Sequence, residues 1–173
     1  NDPVADPPSE WFLLQDRRTR RVWSVTPSAW GDEGVSHRVS HGQGYSVVSH
    51  RRGDVEVTAS WCVDVETAVK QVRVRLVNRG QRTQQLRVIG MAEWMMGANR
   101  ADRCTVHTTL VRQRLSTSRT AAAEPDSRSA QKLTALLCTQ RDCTAGYGGG
   151  TAFLGLAAAA DEPEDWTCDR REW

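Results

Sequence analysis

The stretch Gly53-Asp54-Val55-Glu56-Val57-Thr58-Ala59-Ser60-Trp61-Cys62-Val63 decides the fold. Val55, Val57, Ala59, Trp61 and Val63 share one parity; Glu56, Thr58, Ser60 and Cys62 share the other. Successive side chains of an extended chain point to opposite faces, so this alternation predicts a strand with one buried and one wet face. Downstream, Val72, Val74 and Leu76 alternate with Gln71, Arg73 and Arg75. After Asn78-Arg79-Gly80-Gln81, the set Leu86, Val88, Gly90, Ala92 and Trp94 repeats the pattern. The asparagine and glycine between the last two runs supply turn chemistry, so the three runs predict an antiparallel meander. Upstream, Trp11–Gln15 and Arg21–Val25 predict a hairpin turning through Asp16 to Arg20. Val35–Ser40 and Tyr45–His50 predict another, turning through His41-Gly42-Gln43-Gly44. Thr105–Val111, Leu133–Thr139 and Thr151–Leu156 are weaker strand candidates, and Ser116–Ser129 reads as a long loop. Many strands with little helix predict an all-β chain, a large antiparallel sandwich.

The bulk numbers bound the function. A chain of 173 residues suits one domain with its own core, expected over 1–173. A net charge of +2 is too small to argue for a nucleic-acid partner. The densest basic group, Arg17, Arg18, Arg20 and Arg21, reads as a solvated hairpin turn. No run approaches the ~18 apolar residues of a membrane helix. Cys62, Cys104, Cys138, Cys143 and Cys168 show no metal-site spacing, and they read as free thiols of a cytoplasmic protein serving as small core residues. Asn1-Asp2-Pro3 at the start and Arg170-Arg171-Glu172-Trp173 at the end read as the interior of a longer polypeptide.

Catalytic signatures are weak. No G-x-S-x-G elbow occurs, and His37, His41, His50 and His107 show no helical metal-binding pairing. Gly146-Tyr147-Gly148-Gly149-Gly150 is a flexible loop with no Lys-Ser/Thr after it to form a phosphate cradle. The acidic run Asp161-Glu162-Pro163-Glu164-Asp165 reads as a solvated turn, because a glycosidase pair needs two carboxyls on rigid walls across the bond. No catalytic residue, metal or cofactor is assigned. Tryptophans are more informative, since indole faces stack on sugar C–H groups while hydroxyls pair with Arg, Asn or His. Trp61 and Trp94 lie on the alternating apolar faces and are expected in the core. Trp23 and Trp30 lie near turns, where core filling and saccharide stacking both remain open.

Three further stretches occur in order: Asn1 to Pro8, Val22-Trp23-Ser24-Val25-Thr26-Pro27, and Arg38-Val39-Ser40-His41-Gly42-Gln43-Gly44-Tyr45. Together with the strands ending at Asn78 and at Glu93-Trp94, and with Thr151-Ala152-Phe153-Leu154 and the Asp169–Trp173 ending, they run through most of the chain. This set resembles the N-terminal β-domain of the cellobiose phosphorylase family, glycoside hydrolase family 94 (glycosyltransferase 36-like), and particularly its cyclic β-1,2-glucan synthase branch. Val25 stands where the family usually has Pro and Trp173 where Phe is common, while Leu115–Ala130 and Cys138–Gly150 match poorly.

The resemblance implies a galactose-mutarotase-like antiparallel super-sandwich. In that family it precedes a helical (α/α) barrel that holds the catalytic acid, and it often supports a homodimer. The implied role is a carbohydrate-binding and scaffolding domain of a glycoside phosphorylase or glucan synthase, in bacterial carbohydrate metabolism. The fragment is not expected to be catalytic by itself. Its expected partners are a β-linked gluco-oligosaccharide and the C-terminal barrel, in the cytoplasm or on the cytoplasmic side of the inner membrane. Gly42 and Gly44 permit a tight turn that brings Arg38 and His41 to the rim, with Tyr45 beside them. Arg38, His41, Tyr45, Trp23 and Trp30 are thus the candidate sugar-binding residues. Three alternatives remain open: a plain hairpin with a packed tyrosine, a stand-alone aldose epimerase, and an interaction module without sugar contact.

Overall fold

A computed structural model describes residues 9–27, 34–115, 131–144, 146–156, 165–169 and 172. The chain is all-β, and among the described residues every strand pairs antiparallel. It divides into two compact units, Asn1–Ala92 and Glu93–Trp173.

The first unit holds β1 (Glu10–Asp16), β2 (Val22–Ser24), β3 (His37–Gly42), β4 (Tyr45–Arg52), β5 (Val55–Val63), β6 (Lys70–Asn78) and β7 (Leu86–Ala92). They form a three-stranded sheet, β2-β1-β7, and a four-stranded sheet, β3-β4-β5-β6. The alternation in β5 holds over its first half: Val55, Val57 and Ala59 are buried, Trp61 is half-buried against the core, and Val63 at the strand end is exposed. Leu14, Trp23 and Val25 from the first sheet join those three in one core cluster, with Phe12, Trp61, Val74, Leu76 and Leu86 packed against it. Phe12 and Trp61 meet edge to face at 6.3 Å, a preferred aromatic geometry. Burying each Val or Leu contributes roughly 1.5–3 kcal/mol. This unit is a two-layer sandwich.

The expected meander ends one strand early. β6 does not turn into β7; β7 lies in the other sheet, paired with β1 from Glu10↔Ala92 to Asp16↔Leu86. The loop between them is held away from a tight turn. Asn78 accepts the Gly80 N–H at 3.0 Å and donates to the Arg82 carbonyl at 2.7 Å, and the Arg17 N–H bonds to the Gln85 carbonyl. The chain therefore crosses between layers. Trp94 falls beyond the end of β7, outside the alternation, and is 37% exposed rather than in the core.

The first hairpin closes where expected. The Asp16 carboxylate accepts the N–H groups of Arg18 and Thr19 at 2.8 and 2.9 Å, and Arg20 takes φ 62°. Those bonds, the Thr19 N–H foremost, hold the Asp16 carboxyl below the usual carboxylate range.

The second unit holds β8 (Val106–Leu115), β9 (Gln131–Gln140) and β10 (Thr151–Leu156), in the order β10-β9-β8. A short 3-10 turn, Arg100–Thr105, leads into β8, and the Asp102 carboxylate accepts the Asn99 N–H at 2.9 Å. Gln140, 1% exposed, ties the loops at this end together. Its Nε2 donates to the carbonyls of Met96 and Asp102 at 3.0 and 2.9 Å, and its Oε1 accepts the Asp142 N–H at 2.9 Å. The 146–150 loop is less free than its glycine content suggests. A Cβ on Gly148 would stand 2.6–2.8 Å from backbone atoms of Cys143. All five cysteines are unbridged, but only Cys138 is buried; the other four are exposed rather than core-filling. Burial pushes the Cys138 thiol up, slightly countered by the Thr108 hydroxyl. Ser116–Ser129, expected as a loop, and Asp161–Glu164 lie outside the described residues.

Candidate functional site

The glycine hairpin joins β3 to β4, with Gly42↔Tyr45 as its last pair and Gly44 at φ +79°. Only glycine adopts that backbone without a steric penalty. Gly42 has a different part: a Cβ there would meet the Tyr45 ring, which would have to swing aside. The phenol thus occupies the space over Gly42, and Tyr45 remains 53% exposed.

Strand parity then separates the candidate residues. The pairs Gly42↔Tyr45, Ser40↔Val47 and Arg38↔Ser49 point to one face of the four-stranded sheet, and His41↔Ser46, Val39↔Val48 and His37↔His50 point to the other. Continued through the registers of β5 and β6, the face of His50 and Val48 carries Val57 and Ala59, the packed core. Arg38 and Tyr45 stand on the outer face. His41 stands at the open rim of the inner face, its Nδ1 3.0 Å from the Ser46 hydroxyl. The structure brings Arg38 and Tyr45 to one surface and does not bring His41 to them.

Trp23 is 6% exposed inside the core cluster, and the Arg52 guanidinium sits 5.2 Å from its ring centroid. That is cation–π distance, so both surroundings of this indole are protein. Trp30 lies outside the described residues.

The outer face is ordered in cross-strand rows. Arg38, Ser49, Thr58 and Arg75 form one; Ser40, Val47, Ser60 and Arg73 the next; Gly42, Tyr45, Cys62 and Gln71 the third. A fourth holds Arg51, Glu56 and Val77. Neighbouring strands lie about 4.8 Å apart and successive rows about 6.8 Å apart. The result is a flat surface of guanidinium groups, hydroxyls and one aromatic ring. Of this face, the sequence singles out Arg38 and Tyr45 as candidates; Arg73, Arg75, Ser49 and Thr58 join them only through the strand register. The signal was present in the alternation of β5 and β6, whose polar parity defines this same face. Glu56 accepts from Arg79 Nε at 2.8 Å. That bond, with the charges of Arg79, Arg75 and Arg51, holds the Glu56 carboxyl below its usual range. Arg51 Nε donates to the Gly53 carbonyl at 2.9 Å.

An open depression of about 440 Å³ in the second unit is lined by Cys104, Thr105, Val106, His107, Arg141 and Asp142. Among the described residues, no group of three or more His, Cys, Asp and Glu side chains could hold a metal ion. No helix among them is long and apolar enough to cross a membrane.

Comparison with known proteins agrees with this architecture. The chain is 30% identical over 101 residues to the cyclic beta-(1,2)-glucan synthase NdvB of Rhizobium meliloti (strain 1021). That match covers 58% of the chain but only 4% of the relative's length. A family model described as the glycosyl hydrolase 94 supersandwich domain matches residues 1–173. With an all-β antiparallel structure and a model matched from end to end, the chain belongs to the glycosyl hydrolase 94 supersandwich domain family.

Proposed function

We propose that this chain is a carbohydrate-binding and scaffolding domain of a β-glucan phosphorylase or cyclic β-1,2-glucan synthase. It works beside an (α/α) catalytic barrel elsewhere in the parent polypeptide and contributes no catalytic residue of its own. The observation that carries this reading is the supersandwich family match along the whole chain. The outer face adds support: Tyr45 offers an exposed ring for sugar C–H groups, and Arg38 offers paired N–H donors to vicinal hydroxyls. His41 lies on the rim of the same hairpin and would meet a ligand only around the edge of β3. Five unbridged cysteines suit a reducing compartment, in keeping with a cytoplasmic location.

The ligand class is a β-linked gluco-oligosaccharide. Titrating the intrinsic fluorescence of the 173-residue chain with β-1,2- and β-1,4-linked gluco-oligosaccharides tests the reading. Saturable change is expected with at least one of them. Tyr45→Ala is expected to weaken it roughly tenfold, about 1.4 kcal/mol, with an unchanged circular dichroism spectrum. No response to any of these sugars would overturn the proposal. An assay of sugar anomer interconversion separates this role from a stand-alone epimerase on a galactose-mutarotase-like fold; clear turnover would favour the epimerase.

A further inference from the structure

The outer face of the β3–β6 sheet has an uneven charge balance. Arg38, Arg51, Arg73 and Arg75 project from it, and Glu56 is the carboxylate among its paired strand residues. Glu56 is already engaged by Arg79, which adds another guanidinium at the margin. Across the sheet, Arg73 and Arg75 stand opposite Ser60 and Thr58, and Arg38 stands opposite Ser49. The register thus sets hydroxyls, and not carboxylates, opposite these arginines. The whole chain carries only +2, so the excess is local to this surface. Arg73 and Arg75 are exposed on the same strand, two residues and about 6.8 Å apart. Each guanidinium presents a planar fork of donors matched to an oxyanion. The Tyr45 ring lies one row from Arg73 and two strands away, about 12 Å between backbones by these spacings.

We propose that the ligand of this face is an anionic saccharide: a short gluco-oligosaccharide bearing a phosphate group, its sugar rings over Tyr45 and Val47 and its phosphate held by Arg73 and Arg75. The inference rests on the carbohydrate-binding reading above and narrows its ligand. Ser60 and Thr58 stand directly beside the two arginines and donate hydroxyl protons to the same oxyanion, while Arg38 takes a ring hydroxyl at the far end of its row. No covalent step is involved. The site orders a charged chain on the sheet by hydrogen bonds and Coulomb attraction.

The test uses the 173-residue chain and four probes: a neutral β-1,2-linked gluco-oligosaccharide, the same oligosaccharide with one 6-phosphate, inorganic phosphate, and a poly-glutamate peptide. Calorimetric titration at low ionic strength is expected to show the phosphorylated sugar binding at least tenfold tighter than the neutral one. Raising salt to about 1 M, where the screening length is about 3 Å, shrinks that advantage. The double variant Arg73→Gln/Arg75→Gln is expected to bring the affinities for the phosphorylated and the neutral sugar together, with the thermal transition unchanged. Equal affinity for neutral and phosphorylated sugars overturns this inference and leaves the carbohydrate reading standing. Binding of neither sugar overturns both. Inorganic phosphate or poly-glutamate binding as tightly as the phosphorylated sugar also overturns it, since the saccharide would then contribute nothing.

Discussion

The two units are built from the same antiparallel pairing but closed in opposite ways. In the first, Leu14, Val25, Val57 and Ala59 are fully buried, and two sheets meet through apolar side chains. In the second, the deepest large side chain among the described residues is an amide, Gln140, and the loops around it are fastened by its hydrogen bonds. Apolar contact is non-directional and tolerates exchange at constant volume. A buried amide is directional and stabilises only while every partner stays in place. The first unit should therefore yield to lost volume and the second to lost geometry.

The largest expected effect probes volume. Leu14→Ala empties a fully buried position and should cost about 2–5 kcal/mol, read as lost amide-exchange protection in β5. A cost below about 1 kcal/mol would mean that the sandwich collapses onto the gap and is not closed by packing. Next comes Gln140→Leu, which keeps the volume but strands the Met96 and Asp102 carbonyls and the Asp142 N–H. About 1–3 kcal/mol is expected, read in β9 by the same measurement. A near-neutral result would break the contrast between the units. Gly148→Ala sharpens it, because its Cβ meets Cys143 backbone and not a flexible side-chain end. Overpacking of roughly 1–2 kcal/mol should appear in the loop Gln140–Gly150 without a change in β5.

The smallest effect is set by pH and belongs to the first unit. The carboxyl of Asp64 is lowered chiefly by the Glu66 N–H, then by the Thr67 N–H and hydroxyl, and those of Asp16 and Glu56 are lowered as described above. A depressed folded value means the contribution is fully present above the unfolded carboxylate range, about pH 4–4.5. It is lost as pH falls through the lower folded values. Thermal melts between pH 6 and pH 2 should fall below that range, and Asp64→Asn should flatten the fall. A decline that began above pH 5 would point to other groups.

The first unit's contrast between faces was the most readable feature of the sequence. In β5, every second residue is apolar, and the backbone converts that spelling directly into an inside and an outside. Partnership was not readable. Alternation states which way β7 faces but not which strand it pairs with, and only the Asn78 bonds and the match to β1 send it to the other sheet. Trp94 was misplaced for a related reason, since a period-2 count continues on paper after the strand has ended. Gln140 gave no warning, because a glutamine at a strand end ordinarily looks solvated. At the candidate site, Gly42, Gly44 and Tyr45 were legible as a turn, but the arginine rows needed the register of four strands.

The spacing of Arg38 and His41 carries a last consequence. Three is an odd number, so a strand sends these two side chains through opposite walls. What looks like one word along the chain is two half-words, one addressed to the solvent side and one to the interior rim. Selection can therefore rewrite either half alone, and relatives that keep the tyrosine but lose the histidine would retain the outer surface intact.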